Sequence, residues 1–598
     1  MIDFYISTPV ETILHSFIKN VDRLGSQPCF RYKEEGGWRD LSWQEVERQL
    51  FAIASGLSAL GVKKGDAVAI FSATRYEWVL CDLAILSLGA ITVPIYQSNT
   101  AEQAAFILQD SQSKVVFVEN QKLLERVRLK LPEIPAVLFT AGSPGDSRVK
   151  TLNEWTSSPG GDRPPLNQVR SSDIATYVYT SGTTGNPKGV ILTHGNIIAG
   201  VEACLKLFEI PGGEVSLLFL PLAHILGREI EFYQLHQGFI HAFAEGIEKV
   251  GENIAETRPY FFVAVPRIFE KVYERILAQV EAGSPLKKAI FSWASAVGRE
   301  ASRHLQKGEK VPTGLRLRRA VADLLVFGKL KRRLGGHLQF AVSGGAPLSR
   351  EIAEFFHAAG ILILEGYGLT ETMAAINCNT PACFRFGSVG RPVDRGEEKI
   401  APDGEIWVRG PMLFQGYFKR PEATREVLTS DGWFKTGDVG EIDTDGYLRI
   451  TDRKKDIIVT AAGKNIAPQN IENLLKTVPF ISQVMVHGDR QKYLSALITL
   501  NREQIEDFAR SEGISFGDYR ELVKHPRVYS HVKKAVDEKN RQLASFETIK
   551  RFAILDSDFT QETGELTPTL KVKRKVVTEK YKEILSGLYQ EKGGGDYA

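Results

Sequence analysis

The residues best able to do chemistry begin with Tyr179–Val190, which read YTSGTTGNPKGV. Periodicity predicts a Val/Tyr-rich strand over 174–179 running straight into this loop. Gly182, Gly185 and Gly189 permit close approach of the backbone to a ligand. Thr180, Ser181, Thr183 and Thr184 add short hydroxyls, and Lys188 adds a mobile ammonium. Exposed N–H groups, hydroxyls and a cation together suit a polyphosphate. The spacing is not GxxxxGK[ST], so this is no Walker A loop. A second group is SGGAPLSREIAEFF (343–356) followed by EGYGLTET (365–372). An aromatic face beside flat glycine backbone suits a purine ring. Thr370 can donate to a phosphate, and Glu371 can share Mg²⁺ with one. Further on, GWFKTGD (432–438) offers Asp438 in a tight turn as an acceptor for ribose hydroxyls. DRKKD (452–456) offers Arg453 as a planar donor. Lys571, in GELTPTLKVKR (564–574), ends a turn in the last segment; by itself such a lysine is usually a solvated charge.

These residues need a scaffold to bring them together, and 598 residues are too many for one core. From Leu41 to Phe139 helical and strand patterns alternate, with short, nearly all-apolar strands such as 67–71, 91–95 and 115–118. That pattern predicts a parallel sheet covered on both faces. Gly142–Pro165, rich in Ser, Gly, Pro and Asp, is expected to be a surface connection. The theme resumes with strands predicted over 215–220, 239–243, 260–265, 338–342 and 361–364. After Phe386, Gly-punctuated strands predict a small β-rich lobe, and from about Lys455 a basic α+β piece of separate-domain size follows. Between Gly283 and Gly336 lies a helical insertion thick with Lys and Arg. Phe291, Trp293, Leu324, Leu325, Val326 and Phe327 are interleaved with them. It is either a solvated face or an amphipathic surface for anionic lipid headgroups.

The composition is that of an ordinary globular protein, 43% hydrophobic and 25% charged. A net charge of +3 gives no argument for a nucleic-acid partner. Five cysteines without CxxC pairing fit a reducing compartment. The start, MIDFYISTPVETILHSF, carries no signal-peptide pattern, and no run of about 18 apolar residues occurs. A cytoplasmic protein, with any membrane contact peripheral and on the inner face, is the expectation.

Together the five segments resemble the ordered motifs of the adenylate-forming superfamily: acyl-CoA synthetases, luciferases and the adenylation domains of peptide synthetases. The resemblance covers most of Ile174–Arg574. It implies an α/β fold with a large N-terminal domain (1–454) of layered α/β subdomains plus the β-rich lobe. A small mobile α+β C-terminal domain (455–598) follows, hinged at Lys455. It implies that the loop with Thr180, Ser181, Gly182, Thr183, Thr184, Gly185 and Lys188 holds ATP, and that Glu371 binds Mg²⁺. Gly345, Ala346, Gly366, Tyr367 and Gly368 would frame the adenine. Thr370 would touch the α-phosphate, Asp438 and Arg453 the ribose, and Lys571 the charge developing in adenylation. Gly463, Lys464 and Asn465 would line the path of coenzyme A in a second pose. No convincing Ser-His-Asp or Cys-His set occurs, and two half-reactions through an acyl-adenylate need no side-chain nucleophile.

On the acyl side, Leu220–Arg228 (LPLAHILGR) resembles the family's acyl motif, with His224 as its histidine. The absence of an FDxS pattern disfavours an amino-acid substrate. Ile225, Leu226, Ile230, Phe232, Tyr233 and Leu235 are apolar enough to line an acyl tunnel, or to form a buried helix core. Arg228 stands where some long-chain relatives place a gating tryptophan. PLAHxxxR, PRIFEKV (266–272), the basic insertion and GELTPTLK together most resemble long-chain fatty acid:CoA ligases. Two alternatives stay open at this point: a fatty acyl-AMP ligase serving a separate carrier protein, and a membrane-associated fatty-acid binding or uptake protein.

Overall fold

The computed structural model describes residues 11–139, 148–158, 163, 168–180, 187–461, 464–567 and 571–590. Two large sheets face each other across a layer of helices. One runs, edge to edge, Gly416–Tyr417, Lys188–Thr193, Ile174–Thr180, Ile91–Tyr96, Ala67–Ser72, Val115–Val118, Ala136–Leu138 and Val149–Thr151. Its central strands are parallel. Alternate residues of one strand serve two cores: Val68 and Ile70 pack toward the helices between the sheets, Ala67, Ala69 and Phe71 toward the other face. That is why the strand reads as an unbroken apolar run. The other large sheet centres on the parallel strands Ile240–Phe243, Val215–Leu218, Phe261–Ala264, Phe340–Ser343 and Leu362–Leu369. The chain leaves the carboxyl ends of these strands into Leu220–His224, Val265–Arg267, Gly344–Ser349 and Thr370–Thr372, where open α/β sheets build ligand crevices.

The helices between the sheets start where local chemistry stops the strands. Ser42 and Glu45 close a capping box before Trp43–Ala59, and Thr193 with Asn196 does the same before His194–Leu207. The expected connection 142–165 is not all loop. Val149–Thr151 adds an edge strand by parallel pairing with Ala136–Leu138, and Thr151 caps the short helix Leu152–Thr156. Trp155 from that helix lies against Gly56, where any side chain would collide with the indole.

The β-rich lobe is a four-stranded antiparallel sheet, Glu397–Ile400, Glu405–Arg409, Phe434–Ile442 and Leu448–Arg453. Beyond it, Ile458–Val459 pairs with Asn465–Ile466. The strands Ile481–His487, Leu494–Leu500 and Ile549–Ile554 form a sheet with hydrophobic clusters of its own. The fold is therefore mixed α/β, a large N-terminal part followed by a small α+β part. Polar contacts between the two include Arg267 to the Ser482 hydroxyl (3.1 Å), Lys539 to Glu351 (3.6 Å) and Asn470 to the Thr451 carbonyl (3.4 Å).

The insertion is helical, as Pro285–Gln306, Thr313–Ala322 and Gly328–Arg333 with an intervening π turn over Asp323–Phe327. Ala294, Val297 and Ala301 bury one face of the long helix against Arg350–Ala358. Of the interleaved apolar residues, Phe327 is buried and Phe291 and Val326 are partly covered, whereas Trp293, Leu324 and Leu325 are exposed. Arg319 turns inward toward Gly360 and His357, unlike the exposed Arg316, Arg318, Lys329 and Arg332.

Candidate active site

One continuous cleft of about 3250 Å³ opens at the carboxyl ends of the central strands and extends under the C-terminal part. Thr180, Lys188, His224, Gly345, Ala346, Gly366, Tyr367, Gly368, Thr370, Glu371, Asp438, Arg453, Lys455 and Lys571 all line it. Ser181, Gly182, Thr183, Thr184 and Gly185 lie outside the described residues, but the strands that carry their loop are fixed by the pairing of Thr180 with Lys188.

Glu371 follows Leu362–Leu369 in a single 3₁₀ turn. The strand reaches it through a bulge at Tyr367/Gly368, and a Cβ at Gly368 would sit 1.4 Å from the Ala374 carbonyl oxygen, so only glycine fits. Burial raises the Glu371 carboxyl above its ordinary range, opposed first by the Tyr417 hydroxyl, which donates to Oε1 at 2.7 Å. The same Tyr417 ring takes the Lys188 ammonium over its face, 5.0 Å from the centroid. Tyr417 thus ties the glutamate to the lysine. Among the described residues no three His, Cys, Asp or Glu side chains converge as a metal cage. A single carboxylate beside a phosphate loop fits Mg²⁺, which keeps waters and takes other ligands from phosphates.

Asp438 is not in a tight turn. Thr436-Gly437-Asp438 is a bulge inside the strand Phe434–Ile442, where the register with Glu405–Arg409 shifts and Gly437 takes φ +73°. The Thr436 hydroxyl donates to the Ile406 carbonyl (2.7 Å) and accepts from the Asp438 N–H (3.1 Å). Asp438 is then held on both oxygens, Oδ1 by Arg453 Nε (3.0 Å) and Oδ2 by the Tyr367 hydroxyl (2.8 Å). Each oxygen retains a lone pair for a further donor.

His224 caps the helix Ile225–Gln237, its Nδ1 accepting the Leu226 N–H at 3.1 Å. Nε2 therefore carries the proton of the neutral ring. Burial, then the nearby charge of Lys571, lowers its pKa to about 4. Lys571 lines the cleft with its backbone pinned to Thr567, whose N–H donates to the Lys571 carbonyl (2.8 Å) and whose hydroxyl accepts the Lys571 N–H (3.0 Å). Lys571 as a residue is exposed within the cleft, yet surrounding protein and then Arg453 lower its ammonium to about 8, with Asp438 and Asp456 opposing. Lys464 and Asn465 do not line the cleft. Lys464 lies over the Phe546 ring (5.7 Å), Asn465 pairs with Val459, and Gly463 is outside the described residues.

The helix that starts at His224 presents Leu226, Glu229, Ile230 and Tyr233 to the cleft, one stripe at helical spacing. Of the two readings open for Phe232 and Leu235, tunnel lining or buried helix core, the second holds: both lie on its other face in the core. Arg228 shares that hidden face. It is 0% exposed, bonded to both Asp82 oxygens (2.8 and 2.5 Å) and to the Thr176 hydroxyl (2.7 Å), with the Trp78 and Phe232 rings against it. It is a structural ion pair, not a gate residue. Opposite the stripe the cleft is apolar, with Leu207, Phe208, Phe261, Val263, Phe340 and Val342. Sequence reasoning missed Tyr417, Glu229 and Cys204. Tyr417 arrives only because Gly416–Tyr417 pairs with Lys188–Thr193, and nothing local announces that.

Residues 17–418 match the family described as AMP-binding enzyme, and residues 455–593 its C-terminal domain. The chain is 42% identical to a protein of Mycobacterium bovis named long-chain-fatty-acid–CoA ligase FadD15, over 93% of each chain. It is 34% identical to the peroxisomal long chain acyl-CoA synthetase 7 of Arabidopsis thaliana, covering 94% of this chain and 83% of that one. Among solved structures, the adenylation domain of a Mycobacterium chelonae carboxylate reductase superposes with a TM-score of 0.79 at 23% identity. The alignment covers 98% of this chain and 92% of that one, a likeness of fold.

Proposed function

The chain belongs to the AMP-binding enzyme family, and on that premise we infer that it is an AMP-forming long-chain fatty acid:CoA ligase. The names of its relatives support the acyl substrate and the acceptor. The observation that carries the reading is the convergence, in one cleft, of Lys571 from the C-terminal part with His224, Arg453 and Asp438, beside an apolar branch.

In the first half-reaction a fatty carboxylate oxygen attacks the α-phosphorus of ATP, forming the acyl-adenylate as the bond to pyrophosphate breaks. Thr180, Lys188 and the loop 181–185 hold the phosphates. Gly345, Ala346, Gly366, Tyr367 and Gly368 frame the adenine, and Asp438 with Arg453 takes the ribose. Thr370 donates to the α-phosphate. Neutral His224 offers its Nε2–H to the substrate carboxylate. Lys571 supplies positive charge where the pentavalent phosphorus gathers negative charge. Mg²⁺ held by Glu371 would supply charge neutralisation at the triphosphate. In the second half-reaction the thiol of coenzyme A attacks the acyl carbonyl and AMP leaves. Among the described residues few polar contacts tie the C-terminal part down, and interfaces of this kind permit motion. Rotation about Lys455 exchanges Lys571 for the Gly463–Asn465 loop at the cleft.

The insertion docks on anionic lipid. Seven of the fourteen exposed large apolar side chains of the described residues fall in it, from Leu286 to Leu325, among exposed cations. No helix of the described residues is long and apolar enough to span a bilayer, so this contact is peripheral.

Pyrophosphate release with palmitate, with and without coenzyme A, tests the reading. Palmitoyl-CoA and AMP formed only when both are present supports it. Release that yields palmitoyl-AMP and never the thioester would instead point to a carrier-protein acceptor.

A further inference from the structure

Glu229, in the apolar branch of the cleft, is a polar group that the chemistry above does not use. Glu229 is 2% exposed and lies in the lining stripe of the helix Ile225–Gln237. Its Oε1 accepts the Cys204 thiol (3.1 Å) and the Ala375 N–H (3.4 Å). Its Oε2 has no hydrogen-bond partner among the described residues, and it is not one of the sealed, unpaired atoms of the core. It therefore faces the cavity. The neighbouring Tyr233 hydroxyl is already committed to the Phe208 carbonyl. Burial raises the Glu229 carboxyl to about 7, so both protonation states are accessible near neutrality.

A carboxyl oxygen left bare against an alkyl chain is unfavourable, because desolvation is not repaid by a hydrogen bond. A hydroxyl removes that conflict in either protonation state, donating to the carboxylate or accepting from the acid. We propose that Glu229 forms a polar subsite in the acyl branch that selects a fatty chain bearing a mid-chain hydroxyl over a plain alkyl chain. The proposal rests on the acyl-activating reading above. Position follows from the helix: Glu229 is five residues beyond His224, about 7 Å along the axis at ~1.5 Å per residue. Zigzag C–C bonds of about 1.5 Å put the hydroxyl roughly five to seven carbons from the carboxylate.

The test compares kcat/KM for pyrophosphate release with palmitate and with a series of monohydroxypalmitates, on the full chain and on Glu229→Leu and Glu229→Gln. A site built to bond a hydroxyl discriminates by about 10-fold or more. The wild type is expected to favour one mid-chain isomer over palmitate by that factor. Glu229→Gln should keep the preference and Glu229→Leu should reverse it. Release with palmitate that exceeds every isomer would overturn the subsite and leave the ligase reading intact. A mid-chain preference unchanged in Glu229→Leu would also overturn it. No release with palmitate or any isomer would remove the acyl-activation reading, and the subsite with it.

Discussion

Replacing Lys571 should separate the two half-reactions proposed above. A unit charge about 4 Å from the phosphorane oxygens, at an effective dielectric near 20, is worth about 4 kcal/mol. At ~1.4 kcal/mol per decade, Lys571→Ala should slow acyl-adenylate formation about a thousandfold. Thioester formation from pre-made palmitoyl-AMP and coenzyme A should stay within a few-fold of wild type, because in the proposed second pose Lys571 leaves the cleft. The pH dependence has a definite sign. With its ammonium lowered to about 8, Lys571 loses its proton as pH rises through that value, so kcat/KM for adenylation by the free enzyme should fall above it. His224, lowered to about 4, stays neutral across this range and contributes no alkaline limb. Lys571→Arg, charged at every accessible pH, should remove the limb. Stopped-flow pyrophosphate release and quenched thioester formation measure the two steps. Equal losses in both steps for Lys571→Ala, or an alkaline limb that survives in Lys571→Arg, would refute the reasoning.

Lys455→Pro should do the reverse, sparing adenylation and blocking thioester formation, because a fixed φ and a lost N–H hamper rotation there. Glu371→Gln should leave the thermal midpoint unchanged and reduce adenylation by about 100-fold or more in the same release assay. Arg228→Ala strands the buried Asp82 carboxylate and should cost roughly 3–5 kcal/mol in urea unfolding, whereas an acyl gate would alter chain-length preference without that loss. Reversing Arg316, Arg318, Lys329 and Arg332 to Glu should weaken sedimentation with anionic vesicles, at about 1 kcal/mol per cation. Equal pelleting of variant and wild type would return the insertion to a solvated face.

By itself the sequence determined the α/β class, most strands and the order of the motifs. Each is written locally: unbroken apolar runs mark strands buried on both faces, and glycine, hydroxyl and cation clusters mark loops that meet phosphate. It left open what depends on distant pairing. The helix after His224 is apolar on two faces because protein covers one and the cleft opens on the other, so periodicity could not say that Phe232 faces the core and Ile230 the cavity. Arg228 stands at a gate position in the sequence with nothing local to say what it does, until Asp82 arrives from an earlier helix to neutralise it. TGD reads as a turn until the partner strand's register makes it a bulge, and Tyr417 has no signal until a short edge strand carries it to Glu371. Lys571 is one lysine among many in the sequence. Only the docking of the C-terminal part puts its ammonium beside His224 and Arg453, where surrounding protein and like charge lower it, and that environment exists nowhere along the chain itself.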